Sequence, residues 1–219
     1  MGRRGDGAGR THEQRRCDVG VAGFASAIAA LVTPNLTRLA DQASLEIIEA
    51  EDAVALRELR LGYVDVAIIQ EYAGDHAQRD QRLTYALAAR DELRLVLPSS
   101  SSASTTIADL DGMPWLMNGT GTRCEAMTRE ILRAAGIDAK FSGNVSDNHV
   151  LLQLVATGHG ATILPDLVLR GLGEAVVEAV TVAREPLGVT RTLLAVTRKR
   201  PTTAALAVVD ALTGAAPAE

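Results

Sequence analysis

Two phrases built on one plan constrain this chain more than any other feature. In Leu151–Pro165 (LLQLVATGHGATILP), Leu151, Leu154 and Val155 join Val150 at helical spacing, and Gly158 can supply a left-handed stop. A short apolar run follows, and Pro165 suits the first turn of another helix. Leu59–Ile69 (LRLGYVDVAII) repeats the device, with Gly62 as the stop and a run rich in Val, Ile and Ala after it. A helix that ends on glycine and returns at once as an apolar strand is an α/β unit, so the chain is expected to be α/β throughout.

The rest of the sequence fills in that plan. Cys17–Ala22 reads as a first strand turning at Gly23, and Ser26–Ala40 as a helix kinked by Pro34. Leu45–Ala50 is a second strand, Asp52–Leu61 a helix with an acidic first turn, and Val64–Ile69 a third strand. After a polar loop from Glu71 to Arg82, two β-like runs, Leu83–Ala89 and Leu93–Leu97, are broken by Arg90, Asp91 and Glu92. A second set then begins. It comprises a short helix at Ile107–Leu110, a strand at Trp115–Met117, a helix with the capping-box pair Thr122 and Glu125, a strand at Ala139–Phe141, a helix from Asn148 and a strand at Ala161–Leu164. The runs Ala175–Val182 and Thr190–Thr197 return to the first set, and a helix from Thr202 to Leu212 closes it.

Two such halves joined by double crossings imply two Rossmann-like lobes with a cleft between them. The expected limits are 17–89 with 186–219 for the first lobe and 90–185 for the second, after a polar lead or linker remnant at 1–16. Ligands of open α/β sheets sit outside the carboxyl ends of the strands, where helix N-termini favour anions. The loops there are Gly23–Ser26, Ala50–Asp52, Ile69–Glu71, Asn118–Arg123 and Ser142–His149.

Composition excludes several classes. With 219 residues and 47% hydrophobic content the chain can bury a sizeable core, as one large or two small domains. A net charge of −5 and 3% aromatic residues disfavour a phosphate-backbone surface or a base-stacking platform. No apolar run is long enough for a membrane span, and the charged N-terminus lacks the apolar stretch of a secretory signal, so a cytoplasmic protein is expected. Cys17 and Cys124 form no disulfide framework.

The two opening phrases also resemble the substrate-binding (effector) domain of the LysR-type transcriptional regulators. The match runs from about Asp18 to Leu212 and includes VGVAGFAS, ELRLVLP, IADLDGMPWL and TREILRAAGI in the family's order. The resemblance implies a periplasmic-binding-protein-like (type 2) fold, a small-molecule effector, and a homodimer or higher homo-oligomer. The helices Ile28–Leu39 and Met127–Ala135 are the expected partners across it. DNA would be reached through a winged helix, for which the residues before Cys17 are too few, so this chain is not expected to bind DNA itself.

Candidate effector-binding residues are Ser26, Ala50 and Glu51 from the first lobe, and Asn118, Gly119, Thr120, Ser146, Asp147 and Asn148 from the second. Ser26 either meets a ligand or caps its helix, and Ser146–His149 divide in the same way. Thr122 reads as a cap, Arg123 as a surface or salt-bridging residue, His159 as a turn residue and Cys124 as a structural thiol. No nucleophile-elbow pattern, zinc spacing or phosphate loop is present, so neither catalysis, a metal nor a cofactor is expected. The alternatives are an enzyme on the same scaffold, such as a prephenate dehydratase-like lyase, and a solute-binding protein for transport.

Overall fold

The computed structural model describes residues 19–40, 43–72, 79–172 and 177–214; the lead at 1–16, Cys17 and part of the Ala175–Val182 run lie outside them. The first lobe opens with β1 (Val19–Gly23), which is buried throughout and pairs in parallel with β2 (Leu45–Glu49) and β3 (Val66–Tyr72). Between β2 and β3 runs α3 (Asp52–Leu61), while α1 (Ala25–Ala27) and α2 (Leu36–Ala40) lie between β1 and β2. The main sheet has the order β2-β1-β3-β9-β4-β7, with β9 (Thr190–Arg198) antiparallel to β3 and β4 (Leu83–Pro98) antiparallel to β9. In the second lobe, β5 (Pro114–Met117) and β6 (Lys140–Asn144) pair in parallel, and Trp115 bridges to Ala161 just before β7 (Thr162–Pro165). The helices there are α4 (Arg123–Ala134), α5 (Asn148–Ala156) and α6 (Asp166–Gly171); β8 (Val180–Val182) and α7 (Thr203–Gly214) complete the order.

The twin phrases take the same backbone path. Gly62 has φ 82° and Gly158 φ 84°. Tyr63 N–H donates to Glu58 O (3.0 Å) and Gly62 N–H to Leu59 O (3.2 Å), and His159 and Gly158 make the matching bonds to Leu154 O (3.0 Å) and Val155 O (2.9 Å). This is the Schellman closure, which satisfies carbonyls left over at the helix end and turns the chain back toward the sheet. Asp65 then fixes the first unit: it accepts from Gly20 N–H (3.1 Å) and from Arg198 Nη2 (2.8 Å), while Arg198 Nη1 donates to Leu59 O and Val64 O.

Four apolar clusters cover the two faces of each lobe. Phe24, Leu31, Val208 and Leu212 pack on one face of the first sheet, and Ala55, Leu59 and Leu83 on the other. Trp115, Ile131 and Leu132 fill one side of the second lobe, and Leu151, Val155 and Val168 the opposite side.

Several elements depart from the expected limits. The helix expected at Ser26–Ala40 begins at Ala25 and is broken into α1, a π turn (Ile28–Val32), a 3-10 turn (Thr33–Asn35) and α2. Pro34 offers no N–H and crowds the turn before it, so the chain widens and then tightens around it instead of bending once. Thr33 Oγ1 donates to Ile28 O (3.2 Å) and buried Asn35 Nδ2 to Leu31 O (2.8 Å), which satisfy carbonyls in the irregular stretch. The third strand runs to Tyr72, so Ile69–Glu71 is strand and not a cleft loop; pairing with β9 extends it. Likewise β6 continues to Asn144, because its partner β5 reaches Met117. Pro165 ends β7 and is the N-cap of α6, with Asp166 as its first residue. The most consequential difference is β4. It is one strand of 16 residues, not two runs, because the charge at Asp91 is matched on the neighbouring strand and a bulge between Leu87 and Ala89 keeps the pleat in step. Its first part pairs with β9 and its last part with β7 and β8, so a single strand belongs to both lobes.

Candidate functional site

A cavity of about 420 Å3 opens where the strand ends of the two lobes face each other. Ala25 and Ser26 follow β1, Glu49 ends β2, Ser146–His149 follow β6, and Leu167, Val168 and Leu172 come from α6 and its end. Each group stands at a carboxyl end of a strand, the position from which an α/β sheet presents ligand-binding groups.

Behind Ser26 lies a buried polar network that belongs to the crossing strands. Tyr72, Arg191 and Asp91 sit side by side on β3, β9 and β4. Arg191, 2% exposed, donates from Nε to Asp91 Oδ2 (2.8 Å) and from Nη1 to Gln70 Oε1 (3.1 Å), and Nη2 reaches Ser26 Oγ (3.4 Å). Its guanidinium also lies 5.3 Å from the centroid of the Phe24 ring. Tyr72 donates its hydroxyl to Gln70 Oε1 (3.3 Å), and Asp91 Oδ1 accepts the N–H of Leu167 (2.9 Å) in α6. Burial pushes the Asp91 carboxyl up, opposed by Arg191 and by the Leu167 N–H. The network joins Ser26 in one lobe to α6 in the other through groups that are all inside the protein.

The first lobe's side of the cleft is acidic. Asp52, the first residue of α3, is pushed up to about 7, mainly by burial; its Oδ2 accepts Gln70 N–H (3.4 Å), and its buried Oδ1 has no hydrogen-bond partner. Glu51 is also raised, first by desolvation and then by Glu49, with Arg191 opposing. From the second lobe Arg123 places its guanidinium 5.6 Å from the centroid of the Tyr72 ring. Cys124 is buried, its thiol pushed up to about 11 by burial, which removes the thiolate that reactive cysteines need.

The expected site residues fall into distinct positions. Ser26 is inside the first helical turn and Phe24 is the N-cap, so the capping reading of Ser26 is corrected: its hydroxyl faces Arg191. Ala50 donates its N–H to Gly23 O (2.9 Å), and Glu51 is the N-cap of α3 without a side-chain cap bond. Asp147 caps α5, accepting from His149 N–H (2.8 Å) and Val150 N–H (3.2 Å). Asn118 donates to the side-chain oxygen of Asn148, which ties the loop after β5 to the start of α5. Gly119, at φ 67°, is buried and donates to Val145 O (3.3 Å), while Thr120 is exposed at the tip of that loop. The structure thus brings Ser26 together with Ser146, Asp147 and Asn148 around one cavity; Asn118 reaches its rim through Asn148, and Ala50, Glu51, Gly119 and Thr120 do not line it.

Thr122 caps α4 through Glu125 N–H (3.1 Å), and the Glu125 carboxylate turns to Gly121 N–H (2.6 Å) instead of the cap's own N–H. His159 is an exposed turn residue bonded to Thr157 Oγ1 (2.9 Å). Sequence reading missed Asp91, Arg191, Gln70 and Tyr72. The signal was present as opposite charges inside two otherwise apolar strand runs, LTYALAARDELRLVLP and TRTLLAVTR. Among the described residues no group of three or more His, Cys, Asp or Glu is placed to hold a metal.

The LysR substrate binding domain family matches residues 10–217 of the sequence. The chain belongs to that family. Solved LysR-family domains share its fold. The regulatory domain of HypT from Salmonella typhimurium has a TM-score of 0.73 at 17% identity, over 90% of this chain and 93% of that one. Full-length CbnR complexed with its target DNA gives 0.69 at 18% identity, over 90% and 68%. The effector binding domain of QuiR in complex with shikimate gives 0.68 at 14% identity, over 90% and 95%. No curated protein matches the sequence. The LysR-type fold is the two-lobed, periplasmic-binding-protein-like type 2 architecture that the strand order describes, and the chain is a regulatory, effector-binding domain. No helix among the described residues is long and apolar enough to cross a membrane.

Proposed function

We propose that this LysR-type domain senses a small carboxylated metabolite between its lobes, without chemistry on it, and that it works in the cytoplasm. The observation that carries the reading is the cavity of about 420 Å3 in which Ser26 of the first lobe meets Ser146 and Asn148 of the second. Ser26 would contact the ligand from the first lobe; Ala50 and Glu51, which do not line the cavity, would be met only by a ligand that extends past Glu49. The Glu49 carboxylate lines the first lobe's side, so the ligand's carboxylate falls to the Ser146 hydroxyl, to the Asn148 amide tied to Asn118 and to the Ser26 hydroxyl backed by Arg191. The Asp147 carboxylate stays with its cap of α5, and Gly119 and Thr120 would join only for a ligand that reaches past Asn118. The shikimate complex of QuiR supports a ligand of this kind. The lobe limits proposed are 17–89 with 186–219 and 90–185, and contact with DNA is assigned to a winged helix outside these residues. No specific observation favours the lyase or the transport protein.

A thermal-shift screen of small carboxylates, shikimate included, tests the reading, because a ligand that binds only the folded cleft raises the melting temperature by mass action. With a binder in hand, Ser26→Ala and Ser146→Ala should each lose several-fold affinity while the free protein melts as before. A binder whose affinity neither substitution alters would overturn the cleft assignment.

A further inference from the structure

Every oxygen bonded to the Arg191 side chain among the described residues accepts from it: Asp91 Oδ2 at 2.8 Å, Gln70 Oε1 at 3.1 Å and Ser26 Oγ at 3.4 Å. None of these bonds can run the other way, because a guanidinium carries N–H donors and no acceptor. The group is also fixed in place. Asp91 is anchored by the Leu167 N–H, Gln70 Oε1 takes the Tyr72 hydroxyl as well, and the Phe24 ring lies against the guanidinium. Arg191 itself is buried and does not line the cleft cavity, whereas half-buried Ser26 does. The serine hydroxyl therefore stands between an internal cation and the space a ligand would fill.

A hydroxyl has a single proton to donate. With a lone pair of Ser26 Oγ turned to Arg191, that proton finds no acceptor within the network, and the hydroxyl donates to nothing among the described residues. Accepting from a cation also polarises the O–H bond and makes it a stronger donor. We propose that Arg191 is a positioning residue of the cleft: from behind the wall it turns the Ser26 O–H outward, so that the first lobe offers a donor there, takes an acceptor oxygen of the ligand and turns away an ammonium. Glu49 lines the same side of the cavity and by itself would favour a cation. The guanidinium behind Ser26 is what reverses that preference at this position. Ser146, on the opposite wall, is exposed and is bonded to no cation among the described residues. The selection of a ligand rests on the proposed cleft function; the donation from Arg191 to position 26 does not.

A thiol in place of the hydroxyl reads this without a known ligand, since a donor from Arg191 favours the thiolate. The full chain carrying Ser26→Cys or, as the control on the opposite wall, Ser146→Cys is alkylated with iodoacetamide between about pH 6 and pH 10, on either side of an ordinary thiol's titration. Both are also treated at neutral pH with iodoacetate and with 2-bromoethylamine, small reagents of opposite charge. Peptide mass spectrometry separates the target from Cys17 and Cys124. The Ser26→Cys rate should reach half its plateau about one pH unit or more below that of Ser146→Cys. Its preference for iodoacetate over 2-bromoethylamine should be greater by roughly fivefold or more, about what a modest change in local potential gives. Both differences should vanish when Asp91→Leu and Arg191→Met are added together, which strands no buried charge. Should that background fail to fold, the two thiols in the parent chain decide alone. Equal titration of the two thiols, differences that survive the loss of Arg191, or a preference for 2-bromoethylamine at position 26 each overturn the assignment. A carboxylate screen that yields no binder, beside the expected thiol behaviour, would remove the cleft function and leave Arg191 as the donor to position 26.

Discussion

Asp91 and Arg191 stand directly opposite each other on β4 and β9, paired at 2.7 Å and with side chains 1% and 2% exposed. Removing one member of such a buried pair strands the other charge, at a cost of about 3–5 kcal/mol. Asp91→Asn and Arg191→Met should each lower the urea-derived stability by that amount. The double substitution Asp91→Leu with Arg191→Met should recover most of it, since an apolar pair of similar volume strands no charge. Equal losses in the single and double variants would mean that the ion pair is not the source.

Asp52 gives the domain a pH dependence whose sign is fixed by its raised pKa. In the unfolded chain an aspartate ionises near 3.9, while in the fold it holds its proton up to about 7. Across that window the folded state binds more protons, so stability falls as pH rises and levels off above about 7, by at most about 4 kcal/mol. Raised Glu51 and Asp91 act in the same direction. Asp52→Asn should flatten the slope between pH 4 and 7 and stabilise the protein at pH 8. A denaturation series in which the variant keeps the parent's slope would refute this.

Gly160 is the second glycine of the GHG phrase, and its role differs from that of Gly158. At φ 148° a Cβ there would lie 2.5 Å from Pro114 O, the same carbonyl that accepts Ala161 N–H (2.9 Å). Gly160→Ala must therefore distort the junction between β5 and β7, at a cost of about 2 kcal/mol or more. At this chain length that lowers the melting temperature by roughly 4–8 °C. Gly158→Ala meets no atom within 4 Å and is strained by its φ of 84° alone, so it should cost less.

The expected dimer has a surface to form on. Leu36 is 37% exposed on α2, and Met127, Ile131 and Ala134 of α4 line an open cavity of about 610 Å3 on the second lobe. Sedimentation at micromolar concentration should show a dimer, and Leu36→Glu or Met127→Glu should weaken it tenfold or more. A monomer across that range would mean that these faces have no partner among copies of the chain.

What the sequence disclosed follows from how local each signal is. Gly62 and Gly158 could be read directly because a left-handed helix stop followed by an apolar strand is a short-range pattern. So could Thr122 with Glu125. Arg191 and Asp91 are 100 positions apart, and each alone looked like an interruption in a strand; only their pairing across the sheet makes both intelligible. The same holds for Ser26. Its local setting suggested a cap, and the residue that gives it a different role comes from a strand 165 positions later. Pro34 announced a disturbance in its helix but not the form, because the π turn depends on packing against α6 as well as on the missing N–H.

The unbroken course of β4 sets how the two lobes can move. A hinge made of loops would let them swing freely, whereas here strand β4 carries hydrogen bonds to β9 on one side of the crossing and to β7 and β8 on the other. A change in the angle between the lobes twists β4 where its partner changes from β9 to β7, between Glu92 and Leu93, beside the Asp91–Arg191 pair that stiffens it. The crossing behaves as a torsion bar, and its restoring force opposes every opening or closing of the cleft.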